Sequence, residues 1–457
     1  MKGEPFPDSA PFSVGFISLG CARNLIDSQV LADHLLSAGI PLAPSPEEAD
    51  VIIVNTCAFI EEARRESAEA VLSACQAKRD GLCRAVIVAG CMTQRYAETI
   101  TERFPCVDAF IGVDELEKIP DVAAAVVSGK SGIVRVSDIP GKLYEPALPG
   151  VVFSRGRYAY LRISAGCHHS CSFCAIPGIR GRYRSRPQNS IVAEAESLLE
   201  EGYRELDLIA EDTTAYGIDL SGGANLAGLI RAIGALGGKF WLRVLYGYPT
   251  GITAELLEAM AEVPQACCYL DVPIQHSHPD MLKAMNRGRT AKAVHGMVQK
   301  ARETLPGAVL RTTCLVGFPG ETEEHFAHLR DYVRSTGFDH LGVFTFSPEK
   351  GTPAFELGNI PSPETAANRR EDLLLVQEEV IDRKTSELAG GTTEVLLEKK
   401  DETADNIMHG RDRRLAPEVD GEVTVTGLPG NLREGDFAAA RYCGRDGYNM
   451  RAEFVCG

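Results

Sequence analysis

Short apolar runs alternate with longer stretches of helical spacing along most of the chain. In residues 13–145 the apolar runs predict four strands, at Val14–Leu19, Val51–Val54, Ala85–Ala89 and Ala109–Val113. The stretches between them predict three helices, at 23–38, Ile60–Ala77 and Gln94–Arg103. Strands that alternate with helices are typical of a parallel sheet covered on both faces. We therefore expect an N-terminal α/β domain over residues 13–145.

A stretch that contains proline and glycine, residues 146–157, predicts a linker, and the alternation restarts at Tyr158. Six further strands are predicted, at Tyr158–Ser164, Glu205–Ala210, Phe240–Val244, Cys268–Val272, Ala308–Thr313 and His340–Phe344. Helical stretches lie between them, for example at Ile191–Glu201, Ala254–Glu262, Ala291–Thr304 and Glu323–Ser335. Six strand–helix units are fewer than the eight of a full barrel. The pattern therefore favours a partial (β/α)6 TIM-like barrel within residues 153–388.

The C-terminal part of the chain has a different hydrophobic pattern. Pro361–Leu388 has the spacing of one long helix, and residues 390–457 contain short β-like runs separated by glycine turns. These runs are Thr393–Leu397, Gly421–Thr426 and Phe437–Tyr442. Short strands with glycine turns predict a small antiparallel β-barrel as a third domain.

Composition limits the class of protein. No apolar run reaches 18 residues, so no membrane span is expected, and the polar segment Met1–Phe12 lacks the apolar core of a secretion signal. We therefore expect a cytoplasmic protein. The formal net charge of −16 disfavours nucleic acid, unless a local basic face exists, and suits a basic partner. A simpler interpretation is that this acidity only maintains solubility.

Three of the 14 cysteines form a C-x3-C-x2-C motif, at Cys167, Cys171 and Cys174, directly after the first strand of the predicted barrel. Clustered cysteines in a cytoplasmic chain favour metal or redox chemistry. Three thiolates on one loop can hold three irons of a four-iron cluster and leave the fourth iron open. The alternatives are unrelated core cysteines or a zinc knuckle, whose fourth ligand would have to be His168 or His169 inside the loop.

The motif resembles that of the radical-SAM superfamily. In this superfamily the open iron is chelated by S-adenosylmethionine, and an electron from the cluster cleaves the cofactor to a 5′-deoxyadenosyl radical. The resemblance implies that Phe173, the aromatic residue before the last cysteine, lies near the adenine. The segment Cys314–Glu321, which includes Gly317, resembles the glycine-containing segment after the fifth strand of the superfamily. Glycine backbone there can approach a cofactor closely.

Three more cysteines, Cys21, Cys57 and Cys91, each lie just past one of the first three predicted strands. Carboxyl ends of parallel strands share one edge, so these thiols are expected to converge, and the helix N-termini that follow them favour an anionic cluster. One such cysteine would be an ordinary small buried residue, but three at equivalent positions predict a second iron–sulfur cluster. The other cysteines are expected to be packing or incidental thiols, at 75, 83, 106, 267, 268, 314, 443 and 456.

Two clusters and a terminal barrel resemble the radical-SAM methylthiotransferase family over nearly the whole chain. The resemblance implies a cluster-binding domain in 13–145, a radical-SAM core in 153–388 and a TRAM domain in 390–457. It also implies two [4Fe–4S] clusters. S-adenosylmethionine would act both as methyl donor to a sulfur on the N-terminal cluster and as radical source. Flavodoxin or ferredoxin is the type of electron donor expected.

The family has two branches with different substrates. Gly20–Ser28, Asn55–Ile60 and Ala416–Gly421 resemble the branch that methylthiolates the β-carbon of an aspartate in the small-subunit ribosomal protein S-twelve. The alternative is the branch that modifies a tRNA adenosine, N6-isopentenyladenosine. From Gly390 onward the chain has 13 acidic and 9 basic side chains, whereas a tail that tracks phosphates should be basic. A nucleic-acid substrate is therefore not expected.

Polar residues are expected at the carboxyl edge of the barrel, where they would hold cofactor and substrate. These are Glu211, Asp212, Arg243, Gln275, His276 and Arg311. Each has the alternative explanation of an ion pair or a hydrogen-bonded core group, but a shared edge favours a common role. The cofactor-binding set predicted here is Phe173, Glu211, Arg243, Gln275, Arg311 and Gly317. The arginines at 180, 182, 184 and 186 are compatible equally with contacts to phosphate and with pairing to carboxylates.

Overall fold

The computed structural model describes residues 12–148, 150–154, 156–288, 291–402 and 404–455, so Cys456 and most of the polar N-terminal segment lie outside the described residues. The described chain forms three units: an α/β sheet, a partial barrel and a small closed β-barrel. Within this part of the chain, no helix is both long enough and apolar enough to cross a membrane.

The N-terminal unit is a five-stranded parallel sheet whose strand order follows the chain. Its strands are β1 (Val14–Ser18), β2 (Val51–Thr56), β3 (Ala85–Gly90), β4 (Ala109–Ile111) and β5 (Ile133–Arg135). Its helices are α1 (Ala22–Ser37), α2 (Glu61–Arg79), α3 (Cys91–Arg95), α4 (Ile100–Arg103) and α5 (Ile119–Val127). Every residue of β2 and β3 is buried, as expected of central strands covered on both faces.

The sequence pattern was wrong about one helix in this unit. The single helix expected over Gln94–Arg103 is two short helices, α3 and α4, and α5 and β5 were not predicted. The chain leaves helical geometry at Tyr96, whose φ is −120°. The Tyr96 ring packs there against the guanidinium groups of Arg95 and Arg103. Side-chain packing of this kind is invisible to spacing alone.

The described part of the middle unit contains eight strands, six of them parallel, and the helices that cover them. Its strands are β6 (Tyr158–Arg162), β7 (Ser164–Ala165), β8 (Arg184–Ser185), β9 (Glu205–Ile209), β10 (Trp241–Val244), β11 (Tyr269–Asp271), β12 (Val309–Val316) and β13 (His340–Thr345). Its helices are α6 (Ile176–Arg180), α7 (Gln188–Glu200), α8 (Leu226–Gly234), α9 (Ala254–Glu262), α10 (Pro279–Ala284), α11 (Ala291–Thr304), α12 (Glu323–Thr336) and α13 (Pro363–Leu388).

These strands form two sheets that continue one another. β6, β9 and β10 form the first sheet and β11, β12 and β13 the second, while β7 and β8 form a separate two-stranded ribbon. A parallel bridge between Leu242 and Ala266 joins β10 to the segment that leads into β11. The six strands therefore form the predicted partial (β/α)6 barrel. All five residues of β6 and of β9 are buried.

The C-terminal unit is a closed five-stranded barrel with the strand order β14-β15-β16-β18-β17. Its strands are β14 (Thr392–Lys400), β15 (Ile407–Asp412), β16 (Val423–Thr426), β17 (Phe437–Asp446) and β18 (Asn449–Phe454). Four pairings are antiparallel, and the pairing of β16 with β18 is parallel. β15 and β18 were not predicted because polar residues interrupt their apolar pattern, and Arg411 and Asp412 of β15 are themselves buried.

Buried ion pairs join this barrel to the core. Glu205, the first residue of β9, accepts hydrogen bonds from Arg243 Nε at 2.7 Å and pairs with Arg411 Nη2 at 2.6 Å. Arg243 Nη1 donates to the carbonyl of Arg413 at 3.0 Å, and Arg311 Nε donates to Asp420 Oδ1 at 3.4 Å. Glu205 lies at the amino end of its strand, so the small barrel covers the end of the core opposite the cysteine loop.

Candidate active site

The loop with Cys167, Cys171 and Cys174 begins directly after β7, at the carboxyl edge of the first sheet. Gly166 has a φ of +76°, and a Cβ atom there would lie 2.2 Å from the carbonyl oxygen of Arg182. The chain can therefore make this sharp entry only with glycine. Within the loop, the amide of Cys174 donates to the carbonyl of Cys171 at 3.1 Å. Burial raises the pKa of Cys167 to about 12 and that of Cys174 to about 11.

Cys21, Cys57 and Cys91 also lie at the carboxyl ends of neighbouring strands. A Cβ atom on Gly20, whose φ is +91°, would lie 2.7 Å from Cys57 Cβ and 3.1 Å from Cys57 Sγ. Gly90, with a φ of +93°, precedes Cys91 in the same way. Left-handed glycines thus precede Cys21, Cys91 and Cys167, a repeated Gly-Cys signal that the spacing of the cysteines alone does not reveal.

Two arginines surround this second set of thiols. Arg23 Nε donates to Cys21 Sγ at 3.4 Å, and Arg180 Nη2 donates to Cys91 Sγ at 3.1 Å. Burial alone would raise the pKa of Cys21, but the two guanidinium groups outweigh it and lower this pKa. Burial raises the pKa of Cys57, and it raises that of Cys91 to about 12. Nearby cations are the environment in which thiolates and an anionic cluster are stable.

The short helix α6 connects the two cysteine sets. α6 begins two residues after Cys174 and ends at Arg180, which contacts Cys91. A helix of five residues is about 7 Å long, so the sets are separated by little more than this helix. From the N-terminal domain, Arg23 Nη1 donates a hydrogen bond to the carbonyl of Ala210, just after β9, at 2.9 Å.

Aromatic and charged side chains form the wall next to the first cysteine set. His169 Nε2 lies 2.7 Å from Asp212 Oδ2, and the His169 ring stacks on that of Tyr248 with centroids 3.7 Å apart. Arg287 lies over the other part of this wall, with Cζ 4.4 Å from the Tyr248 centroid and Nη1 3.9 Å from Cys171 Sγ. Stacked rings beside charged groups are suited to holding a flat polar ligand.

The structure brings some of the predicted cofactor residues to this region. Glu211 follows β9, and its Oε2 atom is buried with no hydrogen-bond partner among the described residues. Gln275 has a left-handed φ of +68° and bridges to Cys314 of β12. Phe173 packs against the apolar cluster around Met281 and Phe318. These three residues remain candidates for cofactor contact.

Arg243 and Arg311 lie elsewhere, and this corrects the prediction for both. Arg243 is fully buried against Glu205, and Arg311 pairs with Asp271 and Asp420 beneath the small barrel. Strand position alone could not show that their side chains are engaged in these ion pairs. Gly317, with a φ of +75°, is also required for packing, because a Cβ atom there would lie 2.6 Å from Ala366 Cβ.

The run of arginines after the cluster loop is largely internal. Arg180 pairs with Asp27, Arg186 with Glu194, and Arg184 donates to the carbonyls of Lys142 and Arg180. These contacts decide between the two interpretations of the run in favour of pairing within the protein. Arg182 is exposed.

Two cysteines expected to be incidental thiols form a disulfide instead. Cys75 of α2 is bonded to Cys106, which precedes β4, with their Cα atoms 5.9 Å apart. Spacing could not predict this pair because the two residues are 31 positions apart and converge only through packing of the sheet. The free thiols outside the two sets, among the described residues, are Cys83, Cys267, Cys268, Cys314 and Cys443.

Each of the three units matches a known protein family or domain. Residues 13–112 match the uncharacterized protein family UPF0004, residues 161–333 match the radical SAM superfamily, and residues 389–455 match the TRAM domain. The radical SAM match implies a 4Fe–4S cluster and S-adenosylmethionine. A solved structure of the radical S-adenosylmethionine methyltransferase TsrM from Kitasatospora setae has a TM-score of 0.57 at 16% identity, over 81% of this chain and 89% of that one, and so shares the fold.

Full-length relatives are more informative. The ribosomal protein uS12 methylthiotransferase RimO of Trichlorobacter lovleyi is 40% identical over 97% of this chain and 98% of its own. That of Syntrophus aciditrophicus is 42% identical over the same shares of the two chains. Similarity at this level extends through the cluster domain, the radical-SAM core and the terminal barrel together. The chain therefore belongs to the family of the ribosomal protein uS12 methylthiotransferase RimO.

Proposed function

We propose that this protein transfers a methylthio group to the β-carbon of an aspartate in ribosomal protein uS12, with two [4Fe–4S] clusters and S-adenosylmethionine. The observation that supports this proposal most directly is the link between the two cysteine sets through α6 and Arg180. A radical formed at one set and a sulfur carried on the other can serve one substrate only if both sites face a common space.

The six thiols fit the two clusters. Each set offers three cysteines, the first set on one loop and the second at three strand ends, which leaves one iron of each four-iron cluster free for another ligand. When bound, the first cluster and S-adenosylmethionine would supply a radical able to take a hydrogen atom from an unactivated carbon, and the second would carry the sulfur that is transferred. The protein contributes the binding environment of the clusters. Left-handed glycines turn the chain into the cysteine loops, and the guanidinium groups of Arg23 and Arg180 balance the thiolate charge.

The cofactor contacts proposed for this chain are Phe173, Glu211 and Gln275, with the wall formed by His169, Tyr248 and Arg287. Glu211 Oε2 has no hydrogen-bond partner among the described residues, and a buried unpaired carboxylate oxygen is costly. The N–H groups of the S-adenosylmethionine amine are hydrogen-bond donors that would satisfy it. Asp212 fixes the His169 ring, so it is a positioning residue for this wall.

A basic protein substrate suits this chain better than tRNA. The net charge is −16, and the arginine run beside the cluster loop is mostly engaged inside the protein. A phosphate-tracking surface would need such arginines exposed. The relatives that match over the whole chain are named for uS12. We further propose a flavodoxin or ferredoxin as electron donor and the cytoplasm as location.

The test is mass spectrometry of uS12 from a strain that lacks this gene, complemented with the wild-type gene or with Cys171→Ala. We expect 3-methylthioaspartate in uS12 only with the wild type, and unchanged methylthio-adenosine in tRNA. Cys443→Ala, which replaces an exposed free cysteine, is the matched control and should restore the modification. Unmodified uS12 with the wild-type gene, or a tRNA modification that depends on it, would refute the proposal.

A further inference from the structure

Arg23 occupies the junction between the two cysteine sets. It lies in the first turn of α1 and binds Cys21 Sγ through Nε and the carbonyl of Ala210 through Nη1. It therefore spans from the N-terminal domain to the carboxyl edge of the core. Its Nη2 atom donates to none of the described residues, and it is not among the buried unpaired atoms. One edge of this guanidinium thus remains accessible.

The Tyr246 ring packs against the guanidinium group of Arg23. Cζ of Arg23 lies 4.5 Å from the ring centroid, a distance typical of a cation–π contact. Tyr246 has a φ of +61°, which is uncommon for a non-glycine residue. Hydrogen bonds hold it there, from its own amide to Asp271 Oδ2 at 3.0 Å and from the Thr213 amide to its carbonyl at 3.1 Å. Strained backbone of this kind is concentrated at functional sites.

We propose that Arg23 binds the side-chain carboxylate of the substrate aspartate and selects for it. This inference rests on the proposed function, in which the methylthio group goes to the β-carbon. That carbon is bonded directly to the carboxylate carbon, so holding the carboxylate fixes the reacting atom. A guanidinium binds a carboxylate through short charge-assisted hydrogen bonds, about 2.7–2.9 Å long. Because Arg23 also contacts Cys21, the bound carbon lies beside the N-terminal cysteine set.

The neighbouring arginines are less suited to this task. Arg180 already donates to Asp27, Asn24 and Cys91, so its guanidinium is engaged. Arg287 donates to the carbonyl of Pro273 and lies beside the radical-SAM cysteines, on the cofactor side. Glu211 lies near Arg23, but its unpaired oxygen is assigned to the cofactor amino group. Arg23 is therefore the cation best placed for the substrate.

The experiment compares two substrates in the reconstituted holoenzyme: uS12 with its target aspartate, and the same protein with asparagine at that position. Methylthio product is measured as kcat/KM for the wild type, Arg23→Gln and Arg23→Lys, with iron content determined for each. The wild type should prefer aspartate by about thirtyfold or more, as expected for a desolvated charge pair. Arg23→Gln should lose this preference, and Arg23→Lys, which keeps a cation, should retain most of it.

Arg182→Gln is the control, because it removes an exposed arginine that lies outside the site, and it should keep the preference of the wild type. If Arg23→Gln holds full iron and still prefers aspartate as strongly as the wild type, the inference is wrong. If Arg23→Gln binds less iron, Tyr246→Leu is tested in its place, because this change removes the ring that packs against Arg23 and leaves the Arg23–Cys21 pair itself unaltered. A preference of Tyr246→Leu for aspartate as strong as that of the wild type would then overturn the inference. Failure of the wild type to modify the aspartate substrate at all would instead refute the proposed function.

Discussion

Arg180 donates a hydrogen bond to Cys91 Sγ at 3.1 Å, although the two residues belong to different domains. Arg180 ends the short helix that follows the C-x3-C-x2-C loop, whereas Cys91 begins a helix of the N-terminal sheet. This contact couples the two proposed cluster sites through a single side chain. It holds the thiols of the two domains close together, as the proposed action on one substrate requires.

Single replacements, one in each cysteine set, should distinguish the contributions of the two clusters. Cys171→Ala should lower the iron content from about eight to about four atoms per chain and abolish 5′-deoxyadenosine formation. Cys57→Ala should lose the same amount of iron, leave deoxyadenosine formation possible and stop methylthio transfer. Anaerobic iron analysis and product chromatography provide the measurements. Full iron content in Cys57→Ala would disprove the second cluster.

The glycine before the first cysteine set should be irreplaceable. In Gly166→Ala, the new Cβ atom would lie 2.2 Å from the carbonyl oxygen of Arg182, on a backbone with a φ of +76°. We expect the loop to shift and the iron bound by this set to be lost. Gly178→Ala in α6 is the matched control, because nothing lies within 4 Å of its Cβ position. Equal cluster absorption in the two variants would contradict this prediction.

Asp27 should be important for joining the first two domains. Its buried carboxylate accepts hydrogen bonds from Arg162 Nη1 and Arg180 Nη1, both at 2.5 Å. Asp27→Asn would leave two buried guanidinium groups without their counter-charge, and we expect a loss of about 3–5 kcal/mol in the free energy of unfolding. Asp331→Asn, which weakens only solvent-exposed pairs with Arg330 and Arg334, should cost about 1 kcal/mol or less. Denaturant titration under anaerobic conditions measures both, and similar losses would refute the distinction.

Stability should fall in mild acid because of His276. Its side chain is fully buried, and this burial lowers its pKa even though Glu321 Oε1 lies 3.3 Å from Nε2. The unfolded chain takes up the proton near pH 6.5 and the folded chain only at lower pH. The stabilisation is therefore complete above about pH 6.5 and is lost as the pH falls from there through the folded pKa.

The check is the melting temperature at several pH values for the wild type and His276→Gln. The variant should show a smaller decrease between neutral and acidic pH, whatever its stability at neutral pH. His295→Gln, which replaces an exposed histidine, should keep the pH dependence of the wild type. A variant His276→Gln with an unchanged decrease would show that another group is responsible.

Much of the fold could be predicted from hydrophobic periodicity. The first four strands of the N-terminal sheet and the six parallel strands of the core were predicted because their apolar runs are short and bounded by turns. The periodicity did not reveal β15 and β18, whose polar residues interrupt the apolar pattern, or the break in the helix at Tyr96. For the site, the sequence pointed to both cysteine sets and to the arginine run that includes Arg180, but Arg23 and the Gly-Cys pairs were overlooked.

The order of residue types along the chain was sufficient to determine the family, the two cysteine sets and the edge of the sheet on which each lies, because strand ends in a parallel sheet are fixed by the strands themselves. Only the tertiary structure decided which charged side chains serve that edge. Arg243 and Arg23 are both arginines near a strand end, yet one is buried under the small barrel and the other bridges the cysteine sets. The physical reason is that a side chain's direction and partners depend on packing between domains, which local spacing does not contain.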